Sequence, residues 1–381
     1  MTTKRVVITG MGTLNPSGNS VTEFWESLKN GTSNISLVDE FDVSNYTTKF
    51  AGLVKNYNFE EILDKKECRR LSKFILFGYA ATLEALKQSG LSVDQHANDI
   101  GVEIGSGIGG IDVLEKMTIA LHERGPSKVS PFTVPMMIID MISGFISIKT
   151  GAKGPNASSV SACASGCHAM GNAFQMIKNG KAKAMITGGS ESAITPIGLA
   201  SFCAAKSLSQ DNENYQTASK PFDLNRTGFG SSGDAYHITA PAPEGEGGSR
   251  AMKLALNDAN IQHTDIDYIN AHGTSTKMND MNETAAIKSI FKDYAYDLAI
   301  SSTKSITGHL LGAAAAIEVI ASILMIKHNL VIPTINYNTP DPNCDLNYTP
   351  NKAVEKNIKT IMSNSFGFGG HNAVIIIKEY T

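Results

Sequence analysis

At 381 residues the chain exceeds one ordinary hydrophobic core, so two domains or two fused halves are expected. Hydrophobic residues at 42% and charged residues at 18% describe a compact chain, not a disordered one, and 34 glycines signal tight turns and close backbone approaches. A net charge of -3 argues against general nucleic-acid binding, and five cysteines without a CxxC pair argue against a disulfide framework, which points to a reducing compartment.

The first residues are too few and too soon glycine-rich for a signal peptide, and no apolar run reads as long enough to span a bilayer, so the cytoplasm is the expected location. Arg5 to Gly10 reads as a buried strand and Val21 to Lys29 as an amphipathic helix closed by Gly31. Asp64 to Lys73 gathers several cations within about two helical turns, which by default is a solvated charged face. A helix from about Phe74 to Ser89 leads to a strand at Ile100 to Gly105, and that strand ends in the glycine run Gly105 to Gly110. The run lacks the acid and spacing of a dinucleotide fingerprint, and close packing explains it better.

Pro131 to Pro135 reads as a loop, Met136 to Thr150 as an apolar helix, Ser158 to Ala162 as a strand, and Ala184 to Gly189 as another buried strand. In the second half Tyr268 to His272, Leu298 to Thr303 and Asn372 to Lys378 read as strands, alternating with helices at Asn282 to Phe291 and Leu310 to Lys327. This alternation in both halves predicts a layered α/β architecture. Glu244 to Gly248 is the most flexible-looking point between them.

Chemistry concentrates at Ser158 to Met170, where a β-prone run meets a helix of small residues and Cys163 sits at the junction. A cysteine in the first turn of a helix faces unpaired N–H groups and the positive end of the dipole, which favour the thiolate. Its own N–H could also point at an oxyanion. Taken alone, an intracellular cysteine is more often a buried small hydrophobe than a nucleophile. Two histidines in glycine-flanked turns tip the balance toward a nucleophile: His272 in Asn270 to Thr276 and His309 in Ser301 to Gly312, each just beyond a strand. Metal binding competes for these imidazoles, but only Asp280 stands anywhere near a ligand spacing, so no metal is expected. Asn364 to Asn372 is a glycine–aromatic turn before the last strand. It reads either as a tight hairpin or as a movable loop whose backbone N–H completes an oxyanion hole.

Taken together, Ala162 to Gly166, Asn270 to Thr276, Thr303 to His309 and Asn364 to Gly370 resemble the β-ketoacyl-acyl-carrier-protein synthases, specifically the synthase II branch of the condensing enzymes. Gly154 to Asn156, Lys220 to Asp223 and Gly233 to His237 add to the likeness, which runs from Lys4 to the C-terminus. The resemblance implies an α/β fold of the thiolase-like type: two pseudo-duplicated five-stranded halves in a five-layered αβαβα core, usually a homodimer. The halves would be 1–229, carrying the nucleophile, and 230–381, carrying the histidines.

The implied reaction is elongation of an acyl chain held as a cysteine thioester by decarboxylative condensation with malonyl-acyl-carrier protein. Cys163 would be acylated, His272 and His309 would assist decarboxylation, and Lys304 and Glu318 would support them. Thr274 and Thr276 would meet the pantetheine arm, with Phe366 and Gly369 also facing substrate. Phe368 would gate the pocket, its N–H joining that of Cys163 in an oxyanion hole. No resident cofactor is implied, because phosphopantetheine arrives on the carrier protein. That acidic partner would be steered by Lys65, Lys66, Arg69, Arg70 and Lys73, with Lys128 and Lys206.

Retention of Cys163 argues against the non-catalytic chain-length factors, and the two-histidine pattern argues against thiolases, which use a second cysteine. A polyketide ketosynthase is the nearest enzymatic alternative. One departure stands out: Phe229 runs directly into Gly230, where the family continues through a strand, a helix and another strand, so roughly thirty residues are expected to be absent. That absence motivates a non-catalytic variant that only binds acyl groups or carrier protein. Lesser departures are Lys277, Met278 and His371, the last standing where threonine is usual.

Overall fold

A computed structural model describes residues 4–226 and 243–380. The junction of Phe229 with Gly230, the expected boundary between the halves and the Gly233 to His237 motif lie outside the described residues.

The first helix shows how local sequence sets an element. Ser20 accepts the Glu23 N–H as N-cap, and Val21, Phe24, Trp25 and Leu28 recur at helical spacing as the buried face of α1 (Val21–Lys29). A small hairpin, β1 (Ile35–Leu37) and β2 (Phe50–Gly52), follows. Asp64 then caps α2 (Lys65–Arg70), which buries no residue, and α3 (Lys73–Ser89) ends on Gly90 in the left-handed conformation. β3 (Ile100–Gly105) is buried throughout and leads to α4 (Ile111–Arg124), α5 (Thr133–Met137), α6 (Met141–Thr150) and β4 (Asn156–Ala157). The nucleophile segment opens α7 (Ser165–Lys178), and β5 (Ala184–Gly189) and α8 (Pro196–Ala204) complete the first half.

The second half comprises α9 (Glu246–Ala259), β6 (Tyr268–Asn270), α10 (Lys277–Phe291), β7 (Ala299–Ser301), α11 (Lys304–Thr307), α12 (Ala314–His328), the short pair β8 (Leu330–Val331) and β9 (Val354–Glu355), and the long hairpin β10 (Thr360–Gly367) and β11 (His371–Lys378). Two sheets organise these elements: β4-β3-β5, all parallel, and β11-β10-β6-β7, parallel except for the hairpin. α7 and α12 pack on each other between the two sheets, α3 and α6 cover the first sheet, and α9 and α10 cover the second. The order of layers is αβαβα, as expected. The chemistry-bearing turns lie at the middle layer, where α7, α12 and the β10–β11 hairpin meet.

Several segments depart from the sequence reading. Arg5 to Gly10 forms no strand, and Val7 and Ile8 stand 48% and 56% exposed. A strand needs a ladder to join. β3 and β5 pair with each other directly along six residues, so the first sheet offers that segment no position between them. In the same way β6 pairs directly with β10. Among the described residues the two sheets therefore hold three and four strands, fewer than the five per half that the resemblance implied.

Ser158 to Ala162 is not a strand either. β4 stops at Ala157, because Ser159 turns its hydroxyl to Glu103 and Ala162 adopts a positive φ of 50°. Pro131 to Pro135 is partly helical: Pro135 is tolerated in the first turn of α5, and the expected helix from Met136 begins only at Met141 after an extended Ile138. Glu244 to Gly248 is no linker. It enters α9, and Gly248 lies where a Cβ would come within 3.0 Å of the Phe366 ring. The run Leu311–His328 does reach the length and apolarity of a membrane span, with mean hydropathy 1.6, but 67% of it is buried as the core helix α12 and the turn before it.

The glycine run after β3 serves packing, as its composition suggested. A Cβ on Gly105 would lie 2.3 Å from the carbonyl of Ser165, and one on Gly110 would lie 2.3 Å from that of Met136.

Candidate active site

Cys163 sits in a 3-10 turn, Ala162–Ala164, that opens directly into α7. The turn is fixed locally. Ser165 Oγ accepts the Ser161 N–H at 2.9 Å and donates to the Ala162 carbonyl at 2.7 Å, and the Ala164 N–H returns to the Ser161 carbonyl. This bracing holds Ala162 at its positive φ, strain of the kind that places a nucleophile at a sharp elbow. The thiol itself is buried.

Both histidine turns are built in a similar way, each with a left-handed residue just after the histidine: Ser275 at φ 63° and Leu311 at φ 49°. The imidazoles of His272 and His309 meet edge-on with centroids 5.3 Å apart, and the Phe366 ring lies 5.7 Å from that of His272. His309 Nδ1 accepts the Leu311 N–H at 3.3 Å, which leaves the ring proton on Nε2, and that atom is buried without a protein partner. Such an Nε2–H is a donor waiting for an acceptor. Thr274 and Thr276 bring their hydroxyls 3.0 Å apart on the same turn.

Lys304 and Glu318 form a buried ion pair behind the histidines, 2% and 1% exposed. The Lys304 ammonium acts on the Cys163 sulfur and on both imidazoles, which ties the four groups into one electrostatic unit. Burial first, and Lys304 second, push both histidines well below their ordinary range, so each rests neutral. Burial also pushes the Cys163 thiol up to about 12, against the opposing effect of Lys304, and Glu191 raises it further. The helix end therefore does not win: the resting nucleophile is a thiol, contrary to the thiolate expected from its position. The N–H groups of Phe368 and of Cys163 itself point at the sulfur and favour its charged form.

The turn between β10 and β11 holds Phe368 half-buried between a buried Phe366 and the left-handed Gly369 and Gly370. Gly367 presses against the nucleophile turn, where a Cβ would lie 2.8 Å from the Ser161 carbonyl and 3.1 Å from the Cys163 nitrogen. Gly369 is exposed at the tip, and the ring of Phe366 is packed in the core.

Two carboxylates, the half-buried Glu191 and the buried Glu283, went unnoticed in the sequence. Glu191 receives the N–H groups of Gly107 at 2.7 Å and Gly312 at 3.2 Å together with the Ser106 hydroxyl at 3.0 Å, so it bridges the two halves beside Cys163. Glu283 receives the N–H groups of His272 and Gly273, both at 2.8 Å, and the side chain of Asn364 at 3.1 Å, which ties the His272 turn to β10. Burial raises the Glu283 carboxyl to about 7 despite these donors. The available signal was an acid two residues after β5 for Glu191, a strand that is only partly buried and not buried throughout as expected, and an acid on the inward face of α10 for Glu283.

An apolar cavity of about 440 Å³ reaches His309 and Glu191 from the side of Phe77, Leu310 and Ile317, but Cys163 does not line it. A larger surface cleft of about 690 Å³ beside Trp25 and His328 contains none of the site residues. Among the described residues no group of three or more histidine, cysteine or acidic side chains could hold a metal. The basic run of α2 borders the apolar cavity, since Cys68, Leu71 and Lys73 line it together with His309 and Glu191. Lys65, Lys66, Arg69, Arg70, Lys73, Lys128 and Lys206 are all exposed, and Lys128 and Lys206 sit on separate turns. Some of that charge is already matched: Lys73 pairs with Glu40 at 2.5 Å, Lys65 stands 3.9 Å from Glu60, and Arg70 stacks over Phe132.

Residues 3–234 match the family model of the β-ketoacyl synthase N-terminal domain, and residues 226–338 match that of the C-terminal domain. The 3-oxoacyl-[acyl-carrier-protein] synthase 2 of Staphylococcus aureus strain COL is 47% identical and that of Synechocystis 44%, with 99% of this chain and 99% and 98% of those proteins covered. Each pairing extends over 409 aligned positions, more than the 381 residues of this chain, so the relatives carry residues that have no counterpart here. Among solved structures, a β-ketoacyl synthase from Burkholderia phymatum superposes with TM-score 0.91 at 29% identity, over 99% of this chain and all of that one. A type II polyketide ketosynthase, solved with its acyl-carrier protein and bound to a hexaketide, also superposes with TM-score 0.91, at 31% identity over the whole of both chains. With both domains matched and full-length relatives at this identity, the chain belongs to the β-ketoacyl synthase family.

Proposed function

We propose that the chain is a condensing enzyme of fatty-acid elongation, joining an acyl group held on Cys163 to the two-carbon unit released from malonyl-acyl-carrier protein. The observation that carries the mechanism is the convergence of a buried thiol, two histidines held neutral, and two backbone N–H groups aimed at the sulfur.

In the first half-reaction a neutral imidazole takes the thiol proton, the sulfur adds to the acyl thioester carbonyl, and the oxyanion is received by the N–H groups of Cys163 and Phe368. Collapse expels the pantetheine sulfur, which takes up the proton. In the second half-reaction the bond from the malonyl methylene to its carboxylate breaks and carbon dioxide leaves. The electron pair forms an enolate, whose oxygen receives the Nε2–H of His309 and a donor from His272. The enolate carbon then attacks the Cys163 thioester carbonyl, and the same two N–H groups hold the second oxyanion until the cysteine leaves as a thiolate and takes one proton from solvent to restore the thiol. Lys304, braced by Glu318, adds to burial in holding both imidazoles neutral at rest, so that one can take the thiol proton and both can donate to the enolate oxygen. Thr274 and Thr276 hydrogen-bond the pantetheine arm, which arrives on the carrier and leaves with it, and Phe368 swings aside to admit the acyl chain.

The carrier docks on α2, where charge reversal at Lys66 and Arg69 weakens binding and flattens its salt dependence. The working unit is a homodimer in the cytoplasm. β4 offers a free ladder edge among the described residues, and Ile148 and Val160, 74% and 57% exposed, lie on the same half.

Intact-mass analysis with an acyl-carrier substrate tests this reading. The native protein gains the acyl mass and Cys163→Ala gains none, whereas His272→Ala and His309→Ala are acylated but release neither carbon dioxide nor 3-oxoacyl product. If the native protein binds carrier without being acylated, the non-catalytic reading replaces this one. The polyketide alternative rests on structural neighbours at lower identity than the synthase 2 relatives. Products extended through repeated unreduced cycles would favour it, and a single 3-oxoacyl product from simple acyl substrates excludes it.

A further inference from the structure

The turn carrying Phe368 ends in His371, the first residue of β11, whose ring stands edge-on to that of His168, with centroids 6.4 Å apart and planes at 87°. His168 lies on α7, five residues beyond the nucleophile, and its Nδ1 is 2.6 Å from the hydroxyl of Ser161. Ser161 closes the elbow that presents Cys163, since its carbonyl receives the Ala164 N–H. A continuous line of contacts thus runs from the Phe368 turn through His371, His168 and Ser161 to the nucleophile. We propose that His371 is a positioning residue for the gate, coupling the turn that carries Phe368 to the elbow that carries Cys163 through its contact with His168. This rests on the reading of that turn as a gate.

Two neutral imidazoles attract in an edge-to-face arrangement, and two charged ones at this separation repel. The pair therefore holds while both rings are neutral and loosens when both carry a proton. Burial, and after it the charge of His371, holds His168 below its ordinary value, so His168 resists becoming the second charge. The elements packed against α7 carry other titratable groups: Glu103 on β3, bound to Ser159 and Asn172, Glu318 on α12, paired with Lys304, and the thiols of Cys163 and Cys167. Lys178 and Lys378 stand at the far ends of α7 and β11. Of all these only His371 acts on the His168 imidazole. Burial and Lys304 hold His272 and His309 well below the ordinary histidine range.

The test joins a spectroscopic readout to a kinetic one. Ring-labelled histidine resonances of the full chain are followed from about pH 5.5 to about pH 8, and single-turnover acylation of Cys163 is timed over the same span. In His371→Thr the His168 midpoint rises, because a repelling neighbour is gone. Acylation at neutral pH accelerates about threefold to tenfold, the scale of one aromatic contact, and loses its acid-side dependence. His371→Phe keeps a ring that cannot be charged and so retains the native neutral-pH rate with a flat profile. An unmoved His168 midpoint, or identical pH profiles in all three proteins, overturns the coupling. Phe368→Ala separates the two ideas: unchanged acylation in that variant removes the gate itself, whereas altered acylation alongside unaffected His371 variants removes only the coupling.

Discussion

Glu283 shows what a single residue does from behind the chemistry. Its carboxyl holds its proton up to about pH 7 in the folded chain, against 4.5 for an ordinary glutamate. A folded value raised in this way gives stability that is fullest below 4.5 and is lost as pH rises to about 7, because the unfolded chain releases its proton first. Glu283→Gln removes this slope, which amounts to about 3 kcal/mol across the window. Denaturant titrations at several pH values measure it, and an unchanged slope would place the titration elsewhere. The Lys304–Glu318 pair makes a different prediction. Lys304→Met or Glu318→Gln alone leaves a charge buried without its partner and costs about 3–5 kcal/mol, whereas the double change Lys304→Met with Glu318→Leu recovers much of that stability. Activity does not return with it, since the thiol and the histidines lose the ammonium that acts on all three, and comparing unfolding midpoints with turnover separates the two effects.

Among elements, the β10–β11 hairpin carries the sharpest test. In Gly367→Ala the new methyl meets the Ser161 carbonyl at 2.8 Å, so strand and elbow must part. Overpacking of this kind costs about 1–3 kcal/mol, but a displaced oxyanion donor lowers acylation about a hundredfold. Intact-mass time courses read this directly, and a native rate would show that the Phe368 N–H is dispensable. The same elements show how far the sequence could be read. β3, β5 and α1 were legible to the residue because each is an uninterrupted periodic run, whereas the strand read just before Cys163 was not, since β4 ends at Ala157. The Arg5 to Gly10 segment has the composition of a strand, but a ladder partner is a property of the whole sheet and not of the segment. Glu191 and Glu283 were missed for the same kind of reason: a carboxylate becomes a brace only when distant N–H groups converge on it, and those donors come from up to 121 residues away.

For the whole molecule, the exposed apolar surface of the first half makes a prediction about assembly. If the proposed homodimer forms through this face, Ile148→Glu together with Val160→Glu shifts it to monomer in sedimentation, and a dimer that survives both changes would place the interface on another face. The packing of both halves around one sulfur has a further outcome. A thiol held near 12 is protonated in nearly every resting molecule, and both peroxide oxidation and alkylation begin from the thiolate. The Cys163 thiol therefore reacts more slowly with oxidants and generic electrophiles than an exposed cysteine would. A covalent inhibitor must first imitate the acyl carrier closely enough to draw the proton onto an imidazole, so its selectivity resides in recognition and its warhead can be mild.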